Sequence, residues 1–288
     1  RKVWILELQT LGTTEVRRAD GEYVPLEPKR LALLIYLAVG HAGNSVSRDT
    51  LLTLFWPEHG EQAARSALRQ GLHYLSKRLG AELIIGRGTH EIGVDPQRLR
   101  CDVLLFDIAL DANEPARAMK LVRGEFLPGF LYAGASSAFL EWVDGERSRL
   151  KERSLETALI LAREEERRGN TTGEVHWLKR ALDLEPFRED ILEQIVDLYE
   201  RSGNPATAAQ AIRSFSRTLR TRHGTSVSPA LRHRLRVLQR ELVVEIEPED
   251  ANQRMHALQQ RVSAEMSRTT ELMRQLQALT RPGQRNVD

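Results

Sequence analysis

The sequence predicts a mainly α protein: a small N-terminal domain of short strands and three helices, then an all-helical repeat domain. Three observations carry this reading. Strand-like patterning is confined to about the first hundred residues, and from Asp102 onward helices separated by short Gly, Asn and Pro breaks continue to about residue 244. Around Gly86-Arg87-Gly88, two short strands follow the third helix as a hairpin. Finally, Gly169-Asn170 recurs as Gly203-Asn204 after 34 residues, the period of a tetratricopeptide repeat.

The N-terminal elements follow from local chemistry. Val3, Ile5 and Leu6 begin a strand that Gly12 breaks, and Asp20-Gly21 is a turn between residues 15–18 and 22–24. Pro28 suits the first turn of a helix carrying LALLIYLAV, which stops at Gly40 and Gly43. Ser47 is placed to cap a second helix with Leu51, Leu52, Leu54 and Phe55 on it, ended by Pro57. A third helix runs from about Glu61 to Leu79 and stops at Gly80, and residues 82–85 and 90–94 form the hairpin strands. This order of sheet, three helices and hairpin is that of a winged helix-turn-helix domain with a small β-sheet and a wing.

In the helical part, the repeat period aligns Leu161 with Ile195, Ala162 with Val196 and Leu178 with Ile212. Each Gly-Asn is then the tight turn of a helical hairpin. Because such units bury their apolar faces on neighbours, segments 136–155 and 228–243 are expected to flank them. The expected division is therefore 1–100, a winged-helix domain; 101–244, the tetratricopeptide-like domain; and 245–288, a linker or coiled-coil tail. In that tail Met255, Leu258, Val262, Leu272, Leu276 and Leu279 fall on a and d heptad positions, with Glu265 and Thr269 as faults.

Composition narrows the function classes. With 41% hydrophobic and 28% charged residues in 288, the chain can bury real cores. A lone Cys101 excludes an intramolecular disulfide framework and fits a reducing cytoplasm. The longest apolar run is far short of a bilayer span, so no membrane contact is expected. The chain begins Arg-Lys-Val-Trp, with neither Met nor a signal-peptide pattern, as a segment of a longer protein does. No phosphate loop, HExxH, nucleophile elbow or histidine pair at metal-ligand spacing is present, and Gly86-x-Gly88 lacks the third glycine of a dinucleotide fingerprint. No catalytic residue, metal or cofactor is expected, and the chain is not read as an enzyme.

The candidate binding residues sit on the third helix. Leu68, Leu72, Leu75 and Leu79 form an apolar stripe, while Arg65, Ser66, Arg69, Gln70, Gly71, His73, Tyr74 and Lys77 occupy the remaining circumference. Arg can bond guanine bidentately, Gln can do so with adenine, and Ser and Lys can hold phosphate, so this face suits a major groove. Gly71 is read as leaving room for a close backbone approach. The wing adds Arg87 and His90 for phosphate or a neighbouring groove. A solvated amphipathic helix has a similar pattern, and a winged helix can also bind protein, so an adaptor using the winged helix and the repeats stands as the alternative.

LEPKRLALLIYLA, SVSRDTLLTLFWPEHGEQAARSALRQGLHYLSKRL and GTHEIGVD resemble the winged-helix domain of SARP-type bacterial regulators. CDVLLFDIAL, RGEFLPGF and FLEWVDGERSRLKERSLETALILA resemble the start of the bacterial transcriptional activator domain that follows it there, and residues 177–220 resemble its repeats. The resemblance covers about residues 10–243. It implies a cytoplasmic activator of transcription that binds double-stranded DNA at direct repeats, acts as a homodimer on DNA and contacts RNA polymerase. The segment RTRHGTSVSPALRHRL departs from the family in lacking the acidic stretch that members carry there.

Charge in the repeats is polarised. Seven carboxylates lie between Asp183 and Glu200, whereas residues 201–240 hold nine arginines and no carboxylate. A solvated face is the plain explanation; an attractive surface for phosphate or an acidic protein is the functional one. Arg213, Arg217 and Arg220 are spaced to share one helix face, as are Arg232 and Arg236, and these are the candidate partner-binding residues.

Overall fold

The computed structural model describes residues 6–40, 45–88, 90–244 and, in the tail, 255, 258–260, 262, 263, 266 and 268. The chain divides into two compact units, Arg1–Ile191 and Leu192–Asp288. Among the described residues, no helix is long and apolar enough to cross a membrane.

In the first unit, β1 (Leu6–Gln9) is the centre of a three-stranded sheet. It pairs antiparallel with β2 (Glu15–Arg17), with Leu8 opposite Val16, and parallel with β6 (Leu99–Cys101), with Leu8 opposite Cys101. Leu6, Leu8, Val16, Leu99 and Cys101 are buried. The expected turn at Asp20-Gly21 forms, with Gly21 at φ 86°, but the returning segment makes only a single bridge, Arg17 to Tyr23. Helix α1 (Pro28–Val39) is buried along its whole length from Leu31, which explains its continuous apolar run. Strand β3 (Val46–Ser47) leads into α2 (Arg48–Phe55), whose N-terminus is capped by Ser47 Oγ accepting from the Thr50 N–H at 3.0 Å. Then come α3 (Glu61–Leu79) and the hairpin β4 (Ile84–Arg87) and β5 (Glu91–Val94), the latter flanked by β3 in a second sheet of order β3-β5-β4.

Helices α4 (Asp102–Asp111), α5 (Pro115–Leu121), α6 (Ser137–Arg167) and α7 (Thr171–Leu184) complete this unit. The expected boundary near residue 100 falls inside it. Three features tie the segments together. The buried Asp102 carboxylate accepts from the Thr10 N–H at 2.8 Å, Thr10 Oγ1 at 2.6 Å and the Leu11 N–H at 2.9 Å, and Arg123 reaches it at 3.3 Å. The chain after β1 pairs with residues 125–127: the Gly12 N–H donates to Glu125 O and the Leu127 N–H to Thr10 O. An aromatic core also forms from Tyr36, Phe55 and Trp56 on one side of the expected boundary and Phe126, Tyr132, Phe139 and Trp142 on the other. Helix α6 is a single 31-residue helix, so the expected flanking helix at 136–155 and the first repeat helix are continuous.

Helix α8 (Glu189–Arg201) runs across the division, and α9 (Pro205–His223) and α10 (Pro229–Val244) follow in the second unit. The two Gly-Asn turns have the same geometry. Gly169 and Gly203 have φ of 70° and 69°, and each asparagine N–H donates five residues back, Asn170 to Glu165 O and Asn204 to Tyr199 O. Leu161, Ala162, Leu178, Ile195, Val196 and Ile212 are all buried, as the 34-residue alignment requires. The architecture is mainly α, with an N-terminal sheet-and-helix region followed by helical hairpins. Met255, Leu258 and Val262 are helical and exposed, while Leu272, Leu276 and Leu279 lie outside the described residues.

Candidate nucleic-acid interface

Helix α3 is set on the protein by one face. Ala64, Leu68, Gly71, Leu75 and Leu79 are buried, and the helix packs against α1 and α2. Leu72, expected in the apolar stripe, is only half-buried at its edge. Gly71 lies on the packed face and not on the outer one. A Cβ there would stand 3.2 Å from the Arg30 guanidinium and 3.3 Å from Leu33, so the glycine serves close approach of α1 instead of a ligand. Glu61 in the first turn and Lys77 and Arg78 in the last match the helix dipole.

The outer face presents Arg65, Ser66, Arg69, Gln70, His73 and Lys77, all exposed or half-exposed. They differ in their engagements. Arg65 pairs with Glu61 at 2.7 Å and approaches Asp49 at 3.9 Å, which spends part of its charge within the domain. Tyr74 is half-buried, and its Oη accepts from the Glu27 N–H at 3.4 Å, fastening α3 to the start of α1. Arg78 donates to Pro25 O at 3.2 Å and has the same fastening role, which its sequence position did not reveal. Arg69, Gln70, His73 and Lys77 form the part of the face that points outward.

The β4–β5 hairpin stands beyond α3 in sequence and packs on it through β4. Its register places Arg87 opposite Glu91, and Gly88 turns the chain at φ 64°. The Arg87 side chain and Thr89 lie outside the described residues, whereas His90 is exposed. The Arg48 N–H donates to His90 O at 2.8 Å, holding the turn end of the hairpin against the start of α2. The structure thus brings an outward polar helix face and an adjacent two-stranded hairpin together in the first unit, the parts of a winged helix.

Among the described residues, no group of three or more His, Cys, Asp or Glu is arranged to hold a metal ion. Burial pushes the Cys101 thiol up to about 12, with the neighbouring Asp102 carboxylate adding to the shift, so it stays protonated.

In the second unit, Arg213, Arg217, Arg220, Arg232 and Arg236 are all exposed. Arg234 is not: it bonds Glu200 at 2.7 and 3.0 Å and also pairs with Asp197, tying α10 to α8. Its guanidinium is held well above its ordinary range by those two carboxylates.

Comparison with known proteins finds likeness in sequence over the helical part and in fold over most of the chain. Residues 106–243 match the family model of the bacterial transcriptional activator domain. That match covers just under half of the chain, its helical part. The fold of the chain is similar to a solved structure of Mycobacterium tuberculosis EmbR in complex with a low affinity phosphopeptide, at 21% sequence identity and a TM-score of 0.54. The similarity covers 84% of this chain and 66% of that one, so the chain spans just under two thirds of that structure's length. No curated protein matches the chain in sequence.

Proposed function

We propose that the chain is a sequence-specific DNA-binding regulator that activates transcription in the cytoplasm, binding direct-repeat duplex as a homodimer and contacting RNA polymerase. The observation that carries this reading is the outer face of α3, where Arg69, Gln70, His73 and Lys77 face outward beside a wing hairpin. Arg69 and Gln70 supply bidentate donors and acceptors for base edges; Ser66, Lys77 and Arg65 supply phosphate contacts. Arg87 and His90 supply the wing's contact with the backbone. In function, residues 1–100 read DNA, residues 101–244 present the activator surface, and residues 245–288 form a linker or a coiled tail. No residue is assigned to catalysis.

Selection of bound duplexes from a random pool tests this reading. An enriched motif that repeats in direct orientation supports it. A pool that stays random after several rounds, with the chain still capturing RNA polymerase, favours the adaptor.

A further inference from the structure

Residues 201–240 carry nine arginines without a single carboxylate, and the structure sorts them by role. Arg234 is spent on Glu200 and Asp197, and Arg201 donates to the Asp197 carbonyl. Among the described residues no ion pair reaches Arg213, Arg217, Arg220, Arg222, Arg232, Arg236 or Arg240, and all seven are exposed. On α9 the buried side is Ala208, Ile212, Phe215 and Leu219, and Arg213, Arg217 and Arg220 recur at four- and three-residue spacing away from it. On α10 Leu231 and Leu238 are buried, and Arg232, Arg236 and Arg240 follow each other one turn apart. Arg234 and Val237 occupy the other flank of α10, where they line a hollow with Glu200 and Pro205. The two arginine rows therefore belong to two neighbouring helices that pack against each other.

Seven cations without an ion pair on one helix pair, six of them in two rows, repel one another and contribute nothing to the core, so the rows are placed for an external anion. Two features choose its kind. A protein-binding patch has an apolar or aromatic centre, yet among the described residues of these two helices the one large apolar side chain exposed is Val237, on the opposite flank. Every cation in the rows is arginine, the side chain whose fork matches phosphate oxygens. At a rise of 1.5 Å per residue the rows are about 10 and 12 Å long, which spans roughly three phosphates of one strand at 3.4 Å each.

We infer that the arginine rows of α9 and α10 form a second DNA-contacting surface, which grips the phosphate backbone of duplex DNA without reading its sequence. This deepens the reading of the chain as a DNA-binding regulator and rests on it only for the choice of duplex DNA as ligand. It assigns affinity to the repeats and preference to α3.

The test uses the full chain with two triple variants, Arg213→Ala/Arg217→Ala/Arg220→Ala and Arg232→Ala/Arg236→Ala/Arg240→Ala. Affinity is measured against salt on a 40-bp random-sequence duplex and on the selected site. Each triple variant is expected to lower the slope of log affinity against log salt by about 2 to 3, at about 0.9 for each phosphate no longer neutralised, on both duplexes alike. Preference for the selected site should be retained. Slopes equal to wild type overturn the inference. So does a variant that keeps its DNA slope but no longer captures RNA polymerase or polyglutamate, which makes the rows a site for an acidic protein. If a triple variant melts early, Arg217→Ala and Arg236→Ala singly should each lower the slope by about 0.9. A slope that falls in the variants while selection finds no motif supports the second surface and overturns sequence-specific reading by α3.

Discussion

The rings of Tyr36 and Trp142 meet edge to face with centroids 4.8 Å apart, joining α1 to α6. Trp142 also meets Phe126 and Phe139, and Phe139 meets Phe55, so neither segment has a closed core of its own at this point. Trp142→Ala is expected to destabilise the whole first unit by about 3 kcal/mol, the scale of a large aromatic truncation. One cooperative transition should move to lower urea concentration. Separate unfolding of α1–α3 and α6 in the variant would show that the ring contact does not couple them.

Gly12 and Gly124 bring two backbones together. A Cβ on Gly12 would lie 2.9 Å from the Arg123 carbonyl carbon, and one on Gly124 would lie 2.8 Å from the Gly12 Cα. Gly12 also has φ 91°, which L side chains rarely adopt. Gly12→Ala should therefore cost about 2–3 kcal/mol in strain and displaced backbone, read as a fall in melting temperature. Gly145→Ala is the control, since a Cβ there meets nothing within 4 Å. Equal melting temperatures for the two variants would remove the close approach as a stability determinant.

The residues of RGEFLPGF show what was legible in the sequence and what was not. As a string they marked a resemblance. In the structure Arg123 reaches Asp102, Gly124 faces Gly12, Phe126 enters the aromatic core, and the Leu127 N–H pairs with Thr10 O. Each role depends on a partner about 20 to 120 residues away, which local pattern does not encode. The same limit hid β6, three residues made a strand only by pairing with Leu6–Leu8, and turned Gly71 from an outer to a packed position. By contrast, the α1 apolar run, the Ser47 cap, the wing hairpin and the paired Gly-Asn turns obey short-range rules and were readable. On α3 the outward residues were legible from the 3.6-residue period. The engagement of Arg65, Tyr74 and Arg78 with other elements was not.

Buried acids in the first unit, Cys101, Tyr132 and Tyr36, have their protonated forms favoured by burial, which makes stability fall at alkaline pH. Burial pushes both the Cys101 thiol and the Tyr132 hydroxyl up to about 12, from ordinary values of 9.0 and 10.0. The unfolded chain therefore ionises first and is favoured as pH rises, so stability is fully present below pH 9 and drains away toward pH 12. Melting temperature should fall above pH 9, and Tyr132→Phe should flatten the part of that fall above pH 10. Because Tyr132 Oη is buried without a hydrogen-bond partner among the described residues, the same variant should not lose stability at pH 7. An alkaline profile unchanged in Tyr132→Phe would place the titration elsewhere.

The wing should act through the phosphate backbone. Arg87 stands at the end of β4 beside the Gly88 turn, at the tip of the hairpin. Arg87→Ala is expected to weaken binding about equally across duplex sequences and to lower the salt slope by about 0.9. A shift in sequence preference at constant slope would instead put Arg87 on a base edge.

The strongest test of the proposed interface separates preference from affinity on α3 itself. Arg69 and Gln70 are exposed and adjacent, and they lie away from the packed residues Leu68, Gly71 and Leu75. Neither supports the fold, so Arg69→Ala and Gln70→Ala should melt within about 0.5 kcal/mol of wild type. Each should nevertheless weaken binding to the selected site by about 1–3 kcal/mol and relax preference at one or two base pairs, the cost of removing a bidentate bond to a base. Binding to random-sequence duplex should change little for Gln70→Ala, which removes no charge, and only modestly for Arg69→Ala. Tyr74→Phe provides the contrast: it removes the hydroxyl that accepts from the Glu27 N–H and should alter stability more than preference. Competition binding with single-base variants of the selected site measures all three. If Arg69→Ala and Gln70→Ala bind every variant site as wild type does, α3 enters the groove by another face or does not enter it.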